Sequence, residues 1–275
     1  MRCSSHTPEV RRREGLRPVT TVAVGFVLGY LIGLTGVGGG ALIAPTLYAI
    51  LGLSYQGAIA VSLIYAVITK VISAVQHLRQ GSVLWRVTLL YGVLGIPGAI
   101  LGSRLVYWAG DAAEGIFPFI MAGMLALVAS LIVWEAGAGV GGRTKPFSPV
   151  DLTARSVMVV AAVQFFVGIL LGATSLGAGS FVILSMLYFF RMPARQVVGS
   201  NIVIAIFMGT PAWLTHYAVV GIDWNLLGLL MLGSVFGSVL GAKSTMLVPE
   251  QRLKQAVAGL IYIGAIATFI KAWTG

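Results

Sequence analysis

Charged residues are scarce in this chain: they make up 9% of its 275 residues, whereas an ordinary soluble domain has roughly 25%. Hydrophobic residues reach 58%. A single water-soluble core cannot hide so much apolar surface, and apolar stretches of membrane-spanning length recur along the whole chain. The scarcity of charge therefore excludes a soluble globular domain and predicts an integral membrane protein.

Cysteine and the common catalytic motifs are also lacking. The single cysteine, Cys3, can form no disulfide within one chain and can support no metal cluster. The sequence has no GxxxxGK[ST] phosphate loop, which argues against direct drive by ATP, and neither HExxH nor GxSxG. We therefore expect no metal, no cofactor and no enzymatic activity.

The net charge of +10 does not indicate a nucleic-acid partner. Much of it lies in short segments between apolar stretches, where Lys and Arg set orientation and meet the headgroups of the lipid bilayer. The basic N-terminal tail precedes an apolar run from Val19, and no A-x-A-like cleavage site follows. We therefore expect a retained first helix rather than a cleaved signal peptide.

Glycine, in contrast, is abundant, and it interrupts two of the apolar stretches. Apolar length predicts an all-α membrane protein with about eight segments. The first segment is broken by GLTGVGGG at Gly33–Gly40 and the fifth by GATSLGAG at Gly172–Gly179. The predicted segments are 19–53, 56–77, 84–108, 112–134, 156–190, 196–220, 224–248 and 253–273.

The two halves of the chain match at an offset of 139 residues (172 − 33). The matching pairs are Gly33 with Gly172, Thr35 with Thr174, Gly38 with Gly177, Gly40 with Gly179 and His77 with His216. This pattern predicts a basic tail at 1–18, a first repeat at 19–135, a polar linker at 136–155 and a second repeat at 156–275. Loop charges favour inverted repeats with hairpin-like broken segments, although the N-terminal arginines then lie outside.

The two breaks are the predicted substrate site. Irregular backbone at membrane depth is tolerated only inside protein or along a cavity. The half-helix that restarts after a break offers free N–H groups and the positive end of its dipole, which suits a small anion. The predicted binding residues here are Thr35, Gly36, Gly38, Gly39, Gly40, Thr174, Ser175, Gly177, Gly179 and Ser180. Tight helix packing is the alternative, and it is our expectation for the glycines spaced by four at Gly25–Gly33, Gly98–Gly102 and Gly233–Gly241.

Polar residues inside the other segments have two interpretations each. Ser62, Ser200 and Asn201 fit substrate contact or hydrogen bonds between helices equally well. Lys70 could draw in an anion, or its long side chain could reach the membrane interface. The matched His77 and His216 could couple transport to protons, with plain interfacial histidines as the alternative. The predicted substrate-binding residues therefore also include Ser62, Ser200, Asn201 and Lys70.

Two hydrophobic repeats that each open with a break of the type G-x-T-G-x-G-G-G resemble the TauE/SafE family of membrane permeases, the sulfite and organosulfonate exporter group. The first repeat fits, with Pro45 following its break, whereas the second has Ser175 in place of Gly36 and Leu184 in place of Pro45. The resemblance covers nearly all of 19–273.

The resemblance implies a secondary transporter for a small anion, often a sulfur oxyanion or a sulfonate, in a bacterial or archaeal plasma membrane. Alternating access would move one group of helices against another around the two breaks. A passive anion channel and a membrane scaffold that moves nothing are the alternatives. Coupling to protons or to the membrane potential stays open, as does a homodimer formed through faces of small residues.

Overall fold

A computed structural model describes residues 18–35, 40–110, 112–138, 154–176, 179–190, 192, 194–244 and 250–274. Within these ranges the chain forms ten α-helices and no strand, and α2 continues into a π-helical turn, Thr46–Ile50. The helices are α1 (Pro18–Thr35), α2 (Gly40–Pro45), α3 (Tyr55–Arg79), α4 (Trp85–Trp108), α5 (Ala112–Ala138), α6 (Ala154–Thr174), α7 (Ser180–Phe190), α8 (Ala194–Val220), α9 (Trp224–Ser244) and α10 (Glu250–Thr274).

Seven of the described helices, α3–α6 and α8–α10, are long and apolar enough to cross a membrane. Large apolar side chains such as Phe166, Phe236 and Ile263 point outward, as lipid contact requires. The predicted all-α membrane fold is confirmed. The first predicted segment divides into α1 and α2, and the fifth into α6 and α7, so that each Gly-rich run falls between two helices.

Glycines join α4 to α6 with backbone against backbone. Gly98 lies against the carbonyl group of Phe165, and Gly102 lies against that of Ile169. The contacting positions rise together along both helices, so α4 and α6 are parallel. A Cβ atom at either glycine would overlap a carbonyl oxygen, and close approach of this kind is how small residues hold membrane helices together.

A second pair of parallel helices, α1 and α9, is joined in the same way. Gly233 lies against the carbonyl group of Val22, and Gly237 lies against that of Phe26. From the other side, Gly25 faces the backbone of α9. The expectation that these spaced glycines serve packing is confirmed for Gly25, Gly29, Gly98, Gly102, Gly233 and Gly237.

Helices α3 and α8 are antiparallel. Val67 in the middle of α3 lies against Gly209 in the second half of α8, whereas Ser82, just after α3, lies against Gly199 near the start of α8. We call the end of the bundle at which α3 begins the near face, and the end at which α3 stops the far face. Helix α8 therefore begins at the far face and ends at the near face.

Helices α6 and α7 form a hairpin. Gln164 of α6 donates a hydrogen bond of 3.3 Å to Ser185 of α7, so α7 runs back along α6. Gly172 at the end of α6 accepts a hydrogen bond from His216, which lies about one turn before the end of α8. The end of α6 therefore lies towards the near face, rather than halfway across the bundle.

Candidate functional site

The end of α6 is buried, and its last carbonyl groups need donors that the helix itself cannot supply. The hydroxyl of Thr174 donates to the carbonyl of Leu170 at 2.6 Å, and the backbone N–H of Ser175 donates to that of Leu171 at 2.8 Å. Lipid offers no hydrogen bonds, so a helix that ends inside the bundle depends on such internal partners.

Side chains from two other helices cap the next two carbonyl groups. The hydroxyl of Tyr55, at the start of α3, donates to Ala173 at 2.8 Å, and Nε2 of His216, on α8, donates to Gly172 at 2.8 Å. Nδ1 of His216 lies against the hydroxyl of Tyr107 on α4. With its proton on Nε2, the imidazole accepts from Tyr107 at Nδ1, which fits a neutral ring. Four helices therefore meet at the end of α6.

The two matched histidines differ in their surroundings. His216 is 0% exposed and joins α8 to α6. His77 lies half-buried in the last turn of α3, where its Nδ1 is 2.9 Å from the hydroxyl of Ser82. The expectation of an interfacial histidine is wrong for His216, because α4 and α6 pack over it. A role of either histidine in proton coupling stays a prediction.

Ser175 is the unusual residue of the turn after α6. Its φ of +60° lies in the left-handed region, which costs a residue with a Cβ atom roughly 1–2 kcal/mol. Its side chain is 4% exposed, and its Oγ has no hydrogen-bond partner among the described residues. Glycine, which stands at the matching position 36, adopts this conformation without steric cost. A strained residue with an unpaired buried hydroxyl is a candidate for ligand binding.

Open space lies at the other end of the same turn. A Cβ atom at Gly179 would meet no described atom within 4 Å. The first hydrogen bond inside α7 runs from the N–H of Ile183 to the carbonyl of Gly179 at 3.1 Å. The helix therefore supplies no acceptor for the N–H groups of Ser180 and the two residues after it, and these groups can donate to an anion in that space.

The first break is located by the helices that flank it. Thr35 ends α1, and Gly40 begins α2. The predicted site residues Gly36, Gly38 and Gly39, together with Gly177 in the second break, lie outside the described residues. A part for the first break in substrate binding therefore stays a prediction.

The predicted polar residues Ser62, Ser200 and Asn201 lie on α3 and α8. The Ser62 hydroxyl donates to the carbonyl of Ile59 in its own helix at 3.0 Å. The Ser200 hydroxyl accepts from the backbone N–H of Leu84 at the start of α4, at 2.9 Å. Oδ1 of Asn201 is buried and has no partner among the described residues. Ser200 thus helps to hold α8 against the start of α4, the Ser62 bond stays within α3, and Asn201 stays a candidate for substrate contact.

A second lysine was missed from the sequence. Lys271, in the last turn of α10, donates to the backbone carbonyl groups of Tyr48 and Leu53, and its Nζ lies 4.0 Å from the centre of the Tyr48 ring. A cation suits the negative end of a helix, which here is the end of the π-helical turn. Lys70, which the sequence did single out, lies half-buried on the second half of α3. A lysine near the end of an apolar segment looks like an interfacial anchor, so the pattern gave no signal for Lys271.

Removal of the Tyr55 hydroxyl should destabilise the protein. Tyr55→Phe keeps the aromatic ring but leaves the buried carbonyl of Ala173 without its donor, which costs about 1–3 kcal/mol. We expect a melting temperature lowered by several degrees in detergent. Tyr217→Phe is the control, because Tyr217 is exposed on α8. Equal melting temperatures for the two variants would contradict the capping role of Tyr55.

Known proteins resemble the chain over almost its whole length. The family model described as "Sulfite exporter TauE/SafE" matches residues 21–268. "Probable membrane transporter protein YjnA" of Bacillus subtilis (strain 168) is 29% identical over 252 residues, which cover 90% of this chain and 98% of the relative. A "Probable membrane transporter protein" of Xylella fastidiosa (strain 9a5c) is 25% identical over 260 residues, 93% of this chain and 96% of its own. No solved structure matches.

The matched range runs from α1 to α10 and includes both Gly-rich breaks. The relatives named above are bacterial and are described as membrane transporters, not as enzymes. With the apolar helices, this supports the plasma membrane as the location. The resemblance seen in the sequence is confirmed. The chain belongs to the TauE/SafE sulfite exporter family, and it is an integral membrane transporter of that type.

Proposed function

We propose that this transporter is a secondary carrier that moves a small anion, a sulfur oxyanion or an organosulfonate, by alternating access. The observation that carries the proposal is the turn between α6 and α7. It combines the unpaired hydroxyl of Ser175, the open space at Gly179 and the start of α7. Hydroxyl and backbone N–H donors hold an oxyanion without placing a full positive charge in the membrane.

The proposed substrate-binding residues are those of the two breaks. In the second break they are Thr174, Ser175, Gly179 and Ser180. The first break, 35–40, is proposed to bind substrate in the same way in the first half of the chain. The choice of a sulfur compound rests on the family's description alone, and the geometry supports only the broader class of small oxyanions.

The packing contacts support a duplicated architecture. Gly98 packs on Phe165, and Gly237 packs on Phe26. Both members of the first pair correspond to members of the second at the same offset (237 − 98 = 139 and 165 − 26 = 139). The first helix of each half, α1 or α6, thus packs against a helix of the other half, α9 or α4 respectively. Such an exchange between halves is expected when two repeats share one core.

Helix directions support inversion of the two repeats. The corresponding helices α3 and α8 are antiparallel. So are α5 and α10, because Phe119 contacts Phe269 with ring centres 5.4 Å apart, and Ser130 hydrogen-bonds to Tyr262 further along α5. Inverted repeats place two equivalent half-sites under opposite orientations, which is the usual basis of alternating access.

Positive charge supports one orientation in the membrane. Helices carry a group of cationic residues where they start or stop at the far face, namely Arg79, Arg86, Arg155, Arg195, Lys243, Arg252 and Lys254. Acidic residues lie at both faces, Glu135 and Glu250 at the far face and Glu114 and Asp223 at the near face, where the cations are Arg104 and Lys271. By the positive-inside rule the far face is cytoplasmic. The basic segment that precedes α1 argues against this orientation, because α1 begins at the near face.

Uptake into proteoliposomes tests the proposed function. Purified protein is offered labelled sulfite, sulfate, a simple sulfonate and chloride, each with and without an inward proton gradient. We expect saturable uptake of an oxyanion or sulfonate, and a dependence on the gradient would identify proton coupling. Uptake that never saturates would instead indicate a channel. No uptake of any of these anions by folded protein would contradict the proposed substrate class.

A further inference from the structure

The two halves of the molecule differ in one packing contact. Helix α4 runs along the length of α8. Gly92 lies against Phe207, and the hydroxyl of Tyr107 contacts His216 towards the near face. The corresponding helices of the other half are α9 and α3. Within the described residues these two make few contacts, and a buried hydrogen bond from Tyr65 to Ser234 joins them near their middles. Helices α4 and α8 are therefore packed together along their length, whereas the corresponding helices α9 and α3 leave a gap between them.

Side-chain exposure shows which surfaces the gap uncovers. On α3, Ser73 is exposed and Ile72 is 64% exposed, whereas Ala212, which corresponds to Ser73 on α8 (212 − 73 = 139), is 0% exposed. On α9, Ser238 is partly exposed, whereas its counterpart Ala99 on α4 is 0% exposed. Both facing surfaces of the gap are thus less covered than their equivalents.

Polar side chains lie among exposed apolar ones, such as Val71 and Val75, on the second half of α3. The second half of α3 carries the half-buried Lys70 and the exposed Ser73 and Gln76. Lys70 lies nine residues (79 − 70) before the end of α3, roughly 14 Å inside the bundle. Polar and cationic side chains at this depth face water-filled cavities rather than lipid. Water that enters between α3 and α9 from the far face, where α3 ends, would solvate these side chains.

The histidines follow the same asymmetry. On the closed side, His216 donates to the carbonyl of Gly172 and so ties α8 to the end of the hairpin. The corresponding residues on the open side are His77 and Gly33 (216 − 139 and 172 − 139). There His77 pairs with Ser82 at the end of its own helix instead. The histidine of the open side thus has a different hydrogen-bond partner from the histidine of the closed side.

We propose that the structure is the state open to the far face, and that the cleft between α3 and α9 is a vestibule that attracts the anion through Lys70. In the opposite state α9 closes on α3, and α4 separates from α8. This inference rests on the proposed function and adds to it the access route and the pair of interfaces that exchange. A closed far side would then resemble the present near side, because the two halves correspond position by position.

Thiol accessibility tests the open cleft. Cys3 is the only cysteine and is first replaced by serine. Ser73→Cys and Ala212→Cys then place one thiol at the same position of each half. In purified protein without substrate, a water-soluble, membrane-impermeant thiol reagent should modify the Ser73→Cys variant at least about tenfold faster. Equal rates, or faster reaction of the Ala212→Cys variant, would overturn the proposed open side.

Crosslinking tests the closure. The double variant Ser73→Cys/Ser238→Cys has one thiol on each wall of the cleft, and the two single variants are its controls. With substrate present, a short cleavable bifunctional thiol reagent should link α3 to α9, and transport should stop until the link is reduced. A double variant that transports but never crosslinks would overturn the vestibule and leave the proposed function standing. Crosslinking without transport of any tested anion would overturn the proposed function and leave the vestibule standing.

Discussion

Gly98→Leu should prevent the chain from accumulating as folded protein. A Cβ atom at Gly98 would overlap the backbone of Phe165 on α6, and no rotation of a side chain can relieve a clash with a carbonyl oxygen. A leucine would push α4 away from α6 and would also strain the contact of α4 with α8. We expect a loss of about 4 kcal/mol or more, in the range reserved for severe core disruption.

The measurement is the fraction of the protein that elutes as a single symmetric peak from a size-exclusion column in detergent. Gly237→Leu, at the corresponding position on α9, should fail in the same way. Gly123→Leu on α5 is the matched control, since a Cβ atom there meets no described atom within 4 Å. Normal elution of the Gly98→Leu variant would show that α4 and α6 do not need their close approach.

Ser175→Ala should reduce transport while leaving the protein folded. The Ser175 hydroxyl has no partner among the described residues, so its removal costs the folded state nothing. A hydrogen bond to a charged ligand contributes about 1.5–3 kcal/mol, which corresponds to roughly ten- to hundredfold in affinity. We therefore expect a higher KM for the transported anion and an unchanged melting temperature.

A second variant separates stability from transport more sharply. Ser175→Gly also removes the hydroxyl, but it relieves the left-handed backbone, which should raise stability by about 1 kcal/mol. The protein should then melt later and still transport poorly. Thr274→Ala at the end of α10 is the control, because Thr274 is exposed and its hydroxyl donates to the carbonyl of Ile270 in its own helix. An unchanged KM for both Ser175 variants would remove this hydroxyl from the proposed site.

Local signals in the sequence predicted much of the fold. Apolar length identified the membrane segments, because the bilayer has a fixed thickness. The Gly-rich runs located both interruptions, because glycine disfavours a helix. The spacing of Gly98 and Gly102 predicted close packing, because small residues on one face permit contact between backbones. Each of these signals lies within one segment of chain.

The partners of the helix ends could not be predicted. Tyr55 caps a carbonyl 118 residues away, His216 one 44 residues away and Lys271 one 223 residues away. The sequence shows that a helix which ends inside a membrane needs donors, but many polar side chains could supply them. His216 illustrates the problem, since its position near a loop suggested the membrane interface although the structure buries it.

By itself, the sequence determined that this protein lies in a membrane, how its apolar segments are divided, and that two matched breaks interrupt them. Those properties follow from composition and spacing along the chain. Only the tertiary structure decided that α7 turns back along α6, that Ser175 is left-handed with an unpaired hydroxyl, and that α4 covers α8 while α9 leaves α3 open. Hydropathy measures the length of a segment and not its direction, and packing between distant helices chooses among arrangements that the same pattern allows.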